Sequence, residues 1–159
     1  MAWNIKDLED HLLIGSTLVE GNSLSEKQSR EVLAGRTIQG HAVFEIRELT
    51  NHRSAVEWLI VQVSDSPYIS ENLVLDFHKR LFAGIPGEHG IWKRSENFTY
   101  LSNGDRFTFT QPSEVPSAIR NWLEDFNSEP DSSDLGELIK KGSELYYQFE
   151  CIHPFEDGN

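Results

Sequence analysis

Apolar positions return at helical spacing along most of this chain. From Asp7 to Val19 they recur every three or four residues, and Gly21-Asn22 then marks a stop, because glycine accepts the left-handed backbone that closes a helix. Ser25 stands ahead of Gln28 at the spacing of a reciprocal capping box and predicts a short helix through Leu33. A long helix is predicted from Val43 to Val63, with Ala42, Ile46, Leu49, Ala55, Leu59 and Val63 near one face. Ser70 is the expected N-cap of the next helix, whose apolar face carries Leu73, Phe77 and Leu81.

The helical period then breaks. The segment from Gly84 to Gly90 reads as a plain connector, and two short runs follow, Asn97 to Leu101 and Arg106 to Thr110. Asn103-Gly104-Asp105 between them is hairpin chemistry. Helical spacing resumes from Glu114 to Phe126 and from Asp134 to Cys151, and Pro154 disfavours helical backbone at His153. The fold class expected is all-α with one inserted β-hairpin. No internal repeat or low-complexity block interrupts it.

Composition narrows the function classes. At 159 residues, with 38% apolar and 25% charged side chains, the chain can bury a core and does not read as disordered. The net charge of −12 repels phosphate backbones and anionic lipid, so neither nucleic acid nor a membrane is expected as a partner. It leaves room for a nucleotide, since a few local cations and a metal ion can hold a triphosphate. Cys151 is the only cysteine, so no intrachain disulfide is expected. Met1 to Asp10 has no apolar signal region and no run reaches membrane-spanning length; the expected location is cytoplasmic. Asn97-Phe98-Thr99 matches a glycosylation acceptor, which matters only in a secretory lumen.

Candidate chemistry gathers in His153-Pro154-Phe155-Glu156-Asp157-Gly158-Asn159. His153 can accept a proton near neutral pH. Asp157 can ligate a hard cation such as Mg²⁺. Gly158 permits backbone that turns successive N–H groups toward one anion. A base, a metal ligand and an anion nest suit transfer of a phosphorus-containing group to a hydroxyl. The alternative is a helix end followed by a turn, with His153 packed in the core.

These seven residues resemble the Fic family motif H-P-F-x-D-G-N-G-R at every position present. Further likeness runs from about Ala42 onward. Glu48 to Leu59, with Asn51, Ala55 and Trp58, looks like the family's long helix; Ile69-Ser70 and His78-Lys79-Arg80-Leu81 look like the helix that follows. Gly90-Ile91-Trp92-Lys93-Arg94 and Gln111-Pro112 resemble the two ends of its β-hairpin flap. Nearer the start, Ser16-Thr17-Leu18-Val19-Glu20-Gly21 matches the inhibitory pattern [S/T]-x-x-x-E-[G/N], with Ser16 and Glu20 one helical turn apart.

The resemblance implies a protein adenylyltransferase that moves AMP from ATP to a Ser, Thr or Tyr hydroxyl of a target protein. His153 would be the base, Asp157 would hold Mg²⁺, and amides of Gly158 and Asn159 would bind phosphate. Phe155 would anchor the loop, and Phe98, Thr99, Tyr100 and Leu101 of the flap would dock the target by strand addition. Ser16, Glu20 and Gly21 would form a built-in brake, Glu20 pairing with an arginine beyond Asn159 that otherwise serves the γ-phosphate. Residues 1–40 would be the inhibitory region and 41–159 the core. The motif's closing Gly-Arg and the helix that carries it are missing after Asn159, so a protein of this length is expected to transfer weakly or not at all. Removal of AMP, Doc-like phosphate transfer and a non-catalytic, antitoxin-like binding module are the alternatives, and a homodimer is left open. The other histidines (His11, His41, His52, His78, His89) lack metal-ligand spacing.

Overall fold

A computed structural model of the chain describes residues 5–128 and 134–159. The first four residues, part of the stretch read as lacking a signal region, lie outside the described residues. The described residues form six helices and one hairpin: α1 (Ile5–Val19), α2 (Glu26–Leu33), α3 (Val43–Asp65), α4 (Glu71–Leu81), β1 (Phe98–Tyr100), β2 (Arg106–Thr108), α5 (Val115–Asn127) and α6 (Leu135–Ile152). The strands pair antiparallel, Phe98 opposite Thr108 and Tyr100 opposite Arg106. The mainly helical architecture with one inserted hairpin is the one expected. Among the described residues, no helix is long and apolar enough to cross a membrane.

Two compact units are present. One comprises the described residues up to Asp65 together with Asp76–Gly90; the other comprises Ser66–Leu75 together with the described residues from Ile91 to Asn159.

In the first unit, α1, α2 and α3 enclose Leu13, Ile14, Leu24, Val32 and Leu49. Local chemistry places their ends. Helix α1 closes with two bonds, Gly21 N–H to Leu18 O at 3.1 Å and Asn22 N–H to Thr17 O at 3.0 Å, with Gly21 at φ 89°. Ser25 and Gln28 form the reciprocal capping box at the start of α2. Asn51 on α3 donates from Nδ2 to Leu81 O and Ala83 O, satisfying carbonyls that the end of α4 leaves without helical partners. On α4 the buried residue is His78 rather than Leu73, Phe77 or Leu81, because its Nδ1 accepts the Gly90 N–H at 2.8 Å. The connector after α4 is packed. His89 stacks on Phe82 at 4.2 Å, and a Cβ on Gly87 would lie 2.7 Å from His89 Nε2.

The second unit builds its core from Val115, Ile119 and Leu123 of α5 and Ile152 of α6, with Trp92, Trp122 and Phe149 packed around them. Trp122 donates from Nε1 to Leu145 O at 2.9 Å, tying α5 to α6. Ile119 has no solvent exposure. Ile119→Ala is therefore expected to destabilise this unit by about 2–5 kcal/mol, from lost transfer energy plus the cavity left behind. Ile139→Ala, at a position 60% exposed, should stay within about 0.5 kcal/mol of wild type. Denaturant unfolding of the two variants checks the contrast.

Candidate functional site

The site residues of the sequence motif sit at the end of α6, in the second unit. The helix terminates at His153, whose N–H still donates to Phe149 O while its backbone turns left-handed at φ 47°, ψ 66°. Among the described residues it is the only non-glycine with positive φ. For a side chain with a Cβ this region costs about 1–2 kcal/mol, so the surroundings must hold it there. Pro154 disfavours the helical region at His153, and the Lys93 N–H, donating to Pro154 O at 2.8 Å, fixes the turn that follows.

The imidazole of His153 lies flat on Phe109, ring centroids 4.0 Å apart and planes 12° apart. The residue is half-buried, and its Nδ1 is buried with no hydrogen-bond partner. Burial pushes its pKa below the ordinary histidine value, the Lys93 charge adds to that, and Glu150 and Asp157 oppose it. The ring is thus biased toward its neutral, proton-accepting form.

The loop beyond His153 is closed from inside. Phe155 is buried against Trp92, ring centroids 5.1 Å apart. Asn159 clasps it from both sides, Oδ1 accepting the Phe155 N–H at 2.7 Å and Nδ2 donating to Phe155 O at 3.2 Å. Gly158, at φ 67°, donates its N–H to Asp157 Oδ1 at 2.9 Å. That amide already faces an anionic oxygen, here the loop's own carboxylate. Asp157 itself is exposed.

Two features missed in the sequence fasten this loop to the flap. Glu156, at the motif's variable position, accepts the Arg94 and Ser95 N–H groups on one oxygen at 2.8 and 2.9 Å. These bonds, the Arg94 one first, hold its carboxyl below the usual range. Asn97 donates from Nδ2 to Phe155 O at 3.1 Å, so its amide nitrogen has a structural use inside this unit. Thr110, just past the flap, donates from both N and Oγ1 to Cys151 O at 3.4 Å. The paired donors around Glu156 are long-range, and residue type alone does not signal them.

The flap strand Phe98–Tyr100 and the following Leu101 are exposed, with the Arg106 guanidinium 4.0 Å over the Phe98 ring. In a two-stranded sheet each strand keeps one edge unpaired within the sheet. Ser16, Glu20 and Gly21 close α1 in the first unit: Glu20 N–H donates to Ser16 O at 3.2 Å, and all three residues are exposed.

The donor set fits a magnesium–triphosphate group in kind. An exposed carboxylate, an amide aimed at an anionic oxygen and an imidazole nitrogen without a partner lie within one seven-residue loop. No group of three or more His, Cys, Asp or Glu suited to a metal ion occurs among the described residues. Mg²⁺ commonly takes one or two carboxylates and completes its shell with water and substrate phosphate.

Comparison with known proteins agrees with this geometry. The Fic/DOC family profile matches residues 68–159, more than half of the chain. A Fic domain containing signaling protein from Bacteroides thetaiotaomicron superposes with a TM-score of 0.83 at 22% identity, over 96% of this chain and 57% of that one. A Fic family protein from Desulfovibrio desulfuricans gives 0.74 at 22% identity, over 94% and 43%. Fic-1 from C. elegans gives 0.66 at 22% identity, over 89% and 41%. The chain thus spans about half the length of the solved structures it matches. No curated protein sequence matches it. With the family profile spanning the flap, α5, α6 and the whole of the His153–Asn159 loop, this chain belongs to the Fic/DOC family.

Proposed function

We propose that this chain carries the catalytic base and metal ligand of a protein adenylyltransferase. One observation carries the reading: His153, desolvated and biased to its neutral form, shares a short loop with an exposed carboxylate and an anion-facing amide. Members of the family are usually transferases, which agrees with it.

His153 takes the proton of a Ser, Thr or Tyr hydroxyl on a target protein as that oxygen displaces pyrophosphate from the α-phosphorus of ATP. A neutral imidazole on a hydrophobic ring suits that step, since no bound proton must first be removed. Asp157 is the residue that would hold Mg²⁺, which offsets charge on the phosphates. The backbone N–H groups of Gly158 and Asn159 would serve as donors to phosphate oxygens, with the Asp157 carboxylate engaged on the metal. Phe98 to Leu101 present an edge for the target's extended backbone, a sequence-tolerant way of holding a hydroxyl. Residues 1–40 act as a regulatory region, in which Glu20 is the restraining carboxylate, and 41–159 as the core.

The test uses the full-length protein with Mg²⁺ and ATP labelled at either the α- or the γ-position, incubated with itself and with candidate targets. Protein-bound α-label, with the mass of AMP, is the expected result. Protein-bound γ-label alone would replace this reading with phosphate transfer. Loss of nucleotide from a pre-modified target, without net labelling, would replace it with AMP removal. No label under any condition, with a partner captured in the absence of nucleotide, would leave a binding module.

A further inference from the structure

Lysine is among the residues least often buried, yet Lys93 is 3% exposed and has no carboxylate within ion-pair distance among the described residues. Its pKa is pushed down by that burial, with Glu156 opposing from nearby. A methionine would fill much the same space without the desolvated charge. The arrangement of its donors shows what the ammonium is for.

Lys93 touches both carbonyls that flank His153. Its Nζ donates to Ile152 O at 3.3 Å, and its backbone N–H donates to Pro154 O at 2.8 Å. The same Nζ donates to Asn97 Oδ1 at 2.6 Å, and Asn97 passes the constraint on, from Nδ2 to Phe155 O at 3.1 Å. The Asn97 carbonyl accepts the N–H of Phe109 at 3.2 Å, and Phe109 is the ring on which His153 lies. The ammonium itself stands 5.9 Å from that ring's centroid. The buried ammonium therefore grips the carbonyl just before His153 and, through Asn97, the surface against which the imidazole stacks, while the backbone N–H of the same residue holds the Pro154 carbonyl beyond it.

We propose that Lys93, working through Asn97, is a positioning residue: it holds His153 in its left-handed conformation and sets the imidazole against Phe109 in the orientation the base requires. The proposal rests on the reading of His153 as that base. Helix-end carbonyls such as Ile152 O have no intrahelical donor, and a cation at that end also suits the helix dipole. A displaced imidazole still leaves a binding site for nucleotide, so the loss should fall on turnover rather than on nucleotide affinity.

The experiment compares Lys93→Met, Lys93→Arg and wild type in the full-length protein, with His153→Ala as reference. Lys93→Met should lower kcat by about 10- to 100-fold, the scale of a misplacement near an ångström, while KM for ATP stays within about twofold. Lys93→Arg, which keeps charge and donors, should recover most of the loss. Removing the cation also leaves Glu150 and Asp157 as the charges acting on His153, so the acid limb of the rate profile should move to higher pH in the methionine variant. A purely structural lysine would lower the melting temperature and leave the plateau kcat of the folded protein unchanged. Unchanged plateau kcat in Lys93→Met, in a protein that His153→Ala inactivates, would overturn the proposal, whether or not the acid limb moves. Full activity in His153→Ala would instead remove the base reading beneath it. If Lys93→Met does not fold, Asn97→Leu breaks the bracket at its second member with Lys93 in place: a lowered kcat with KM for ATP within about twofold supports the proposal, and an unchanged kcat overturns it.

Discussion

His153→Ala should reduce transfer of α-label to protein by about 10²- to 10⁴-fold, the range that a positioned general base contributes. The geometry assigns the loss to chemistry rather than to folding. His153 is the C-cap that follows α6, half-buried, and its Nδ1 has no hydrogen-bond partner, so no network unravels with the ring. What disappears is one face of the stack on Phe109. Nucleotide binding, carried by Asp157 and the loop amides in this reading, should survive, and KM for ATP should change far less than kcat. Retained transfer by the alanine variant, at a rate near wild type, would end the assignment.

The pH dependence follows with a definite sign. The folded-state pKa of His153 lies below its ordinary value of 6.5, because burial and the Lys93 charge both disfavour the imidazolium. The base form therefore persists at pH values where an exposed histidine would already be protonated, and the acid limb of kcat/KM should fall below 6.5. Stability follows the same direction. The unfolded chain binds the proton first as pH falls, so the contribution of neutral His153 is complete above the unfolded value and is lost as pH drops through the folded one. His52, partly buried on α3 and shifted down by desolvation alone, adds to the same acid-side loss.

Much of the fold was legible because local chemistry decides it. The Ser25–Gln28 capping box, the Asn103-Gly104-Asp105 turn and the Gly21 stop each act over a few residues, and each appears where its chemistry predicts. Residues whose roles depend on distant partners were not legible. Pro154 disfavours helix at His153 but does not choose the left-handed region; the Lys93 N–H bond to Pro154 O comes from the other side of the flap. Lys93 looks like any surface lysine until its three acceptors are seen. Glu156 occupies a position where the motif sets no preference, and its two backbone donors lie about sixty residues away. Asn97 reads as a glycosylation acceptor, whereas its amide nitrogen is used to hold the Phe155 carbonyl. The seven-residue motif names the groups that would do the chemistry, and the segment that fixes their orientation comes from elsewhere in the chain.

Glu20→Gly should raise auto-modification of the full-length protein by roughly tenfold to a hundredfold, the scale on which misplacing a reacting group slows an enzyme. A carboxylate at a helix C-terminus opposes the dipole by about 0.3–1 kcal/mol, and α1 has no basic residue in its last turn to offset it. The stop itself is made by Gly21 and by backbone bonds to Leu18 and Thr17, none of which needs the Glu20 side chain. Glu20 is exposed and stands one turn from Ser16 in the S-x-x-x-E-G pattern, where a carboxylate is open to a ligand or a regulatory partner. With glycine at position 20 label incorporation should climb, and an unfolding curve run alongside reports any separate effect on α1. Glu20→Gln separates charge from shape: if the restraint is electrostatic, the amide should release most of the activity that glycine does. Glu9→Gln, which removes an exposed carboxylate from the same helix, should release none, because the net charge of −12 acts on every anionic ligand alike. Equal labelling by wild type and Glu20→Gly would leave Glu20 as a solvated helix-end carboxylate and remove the brake.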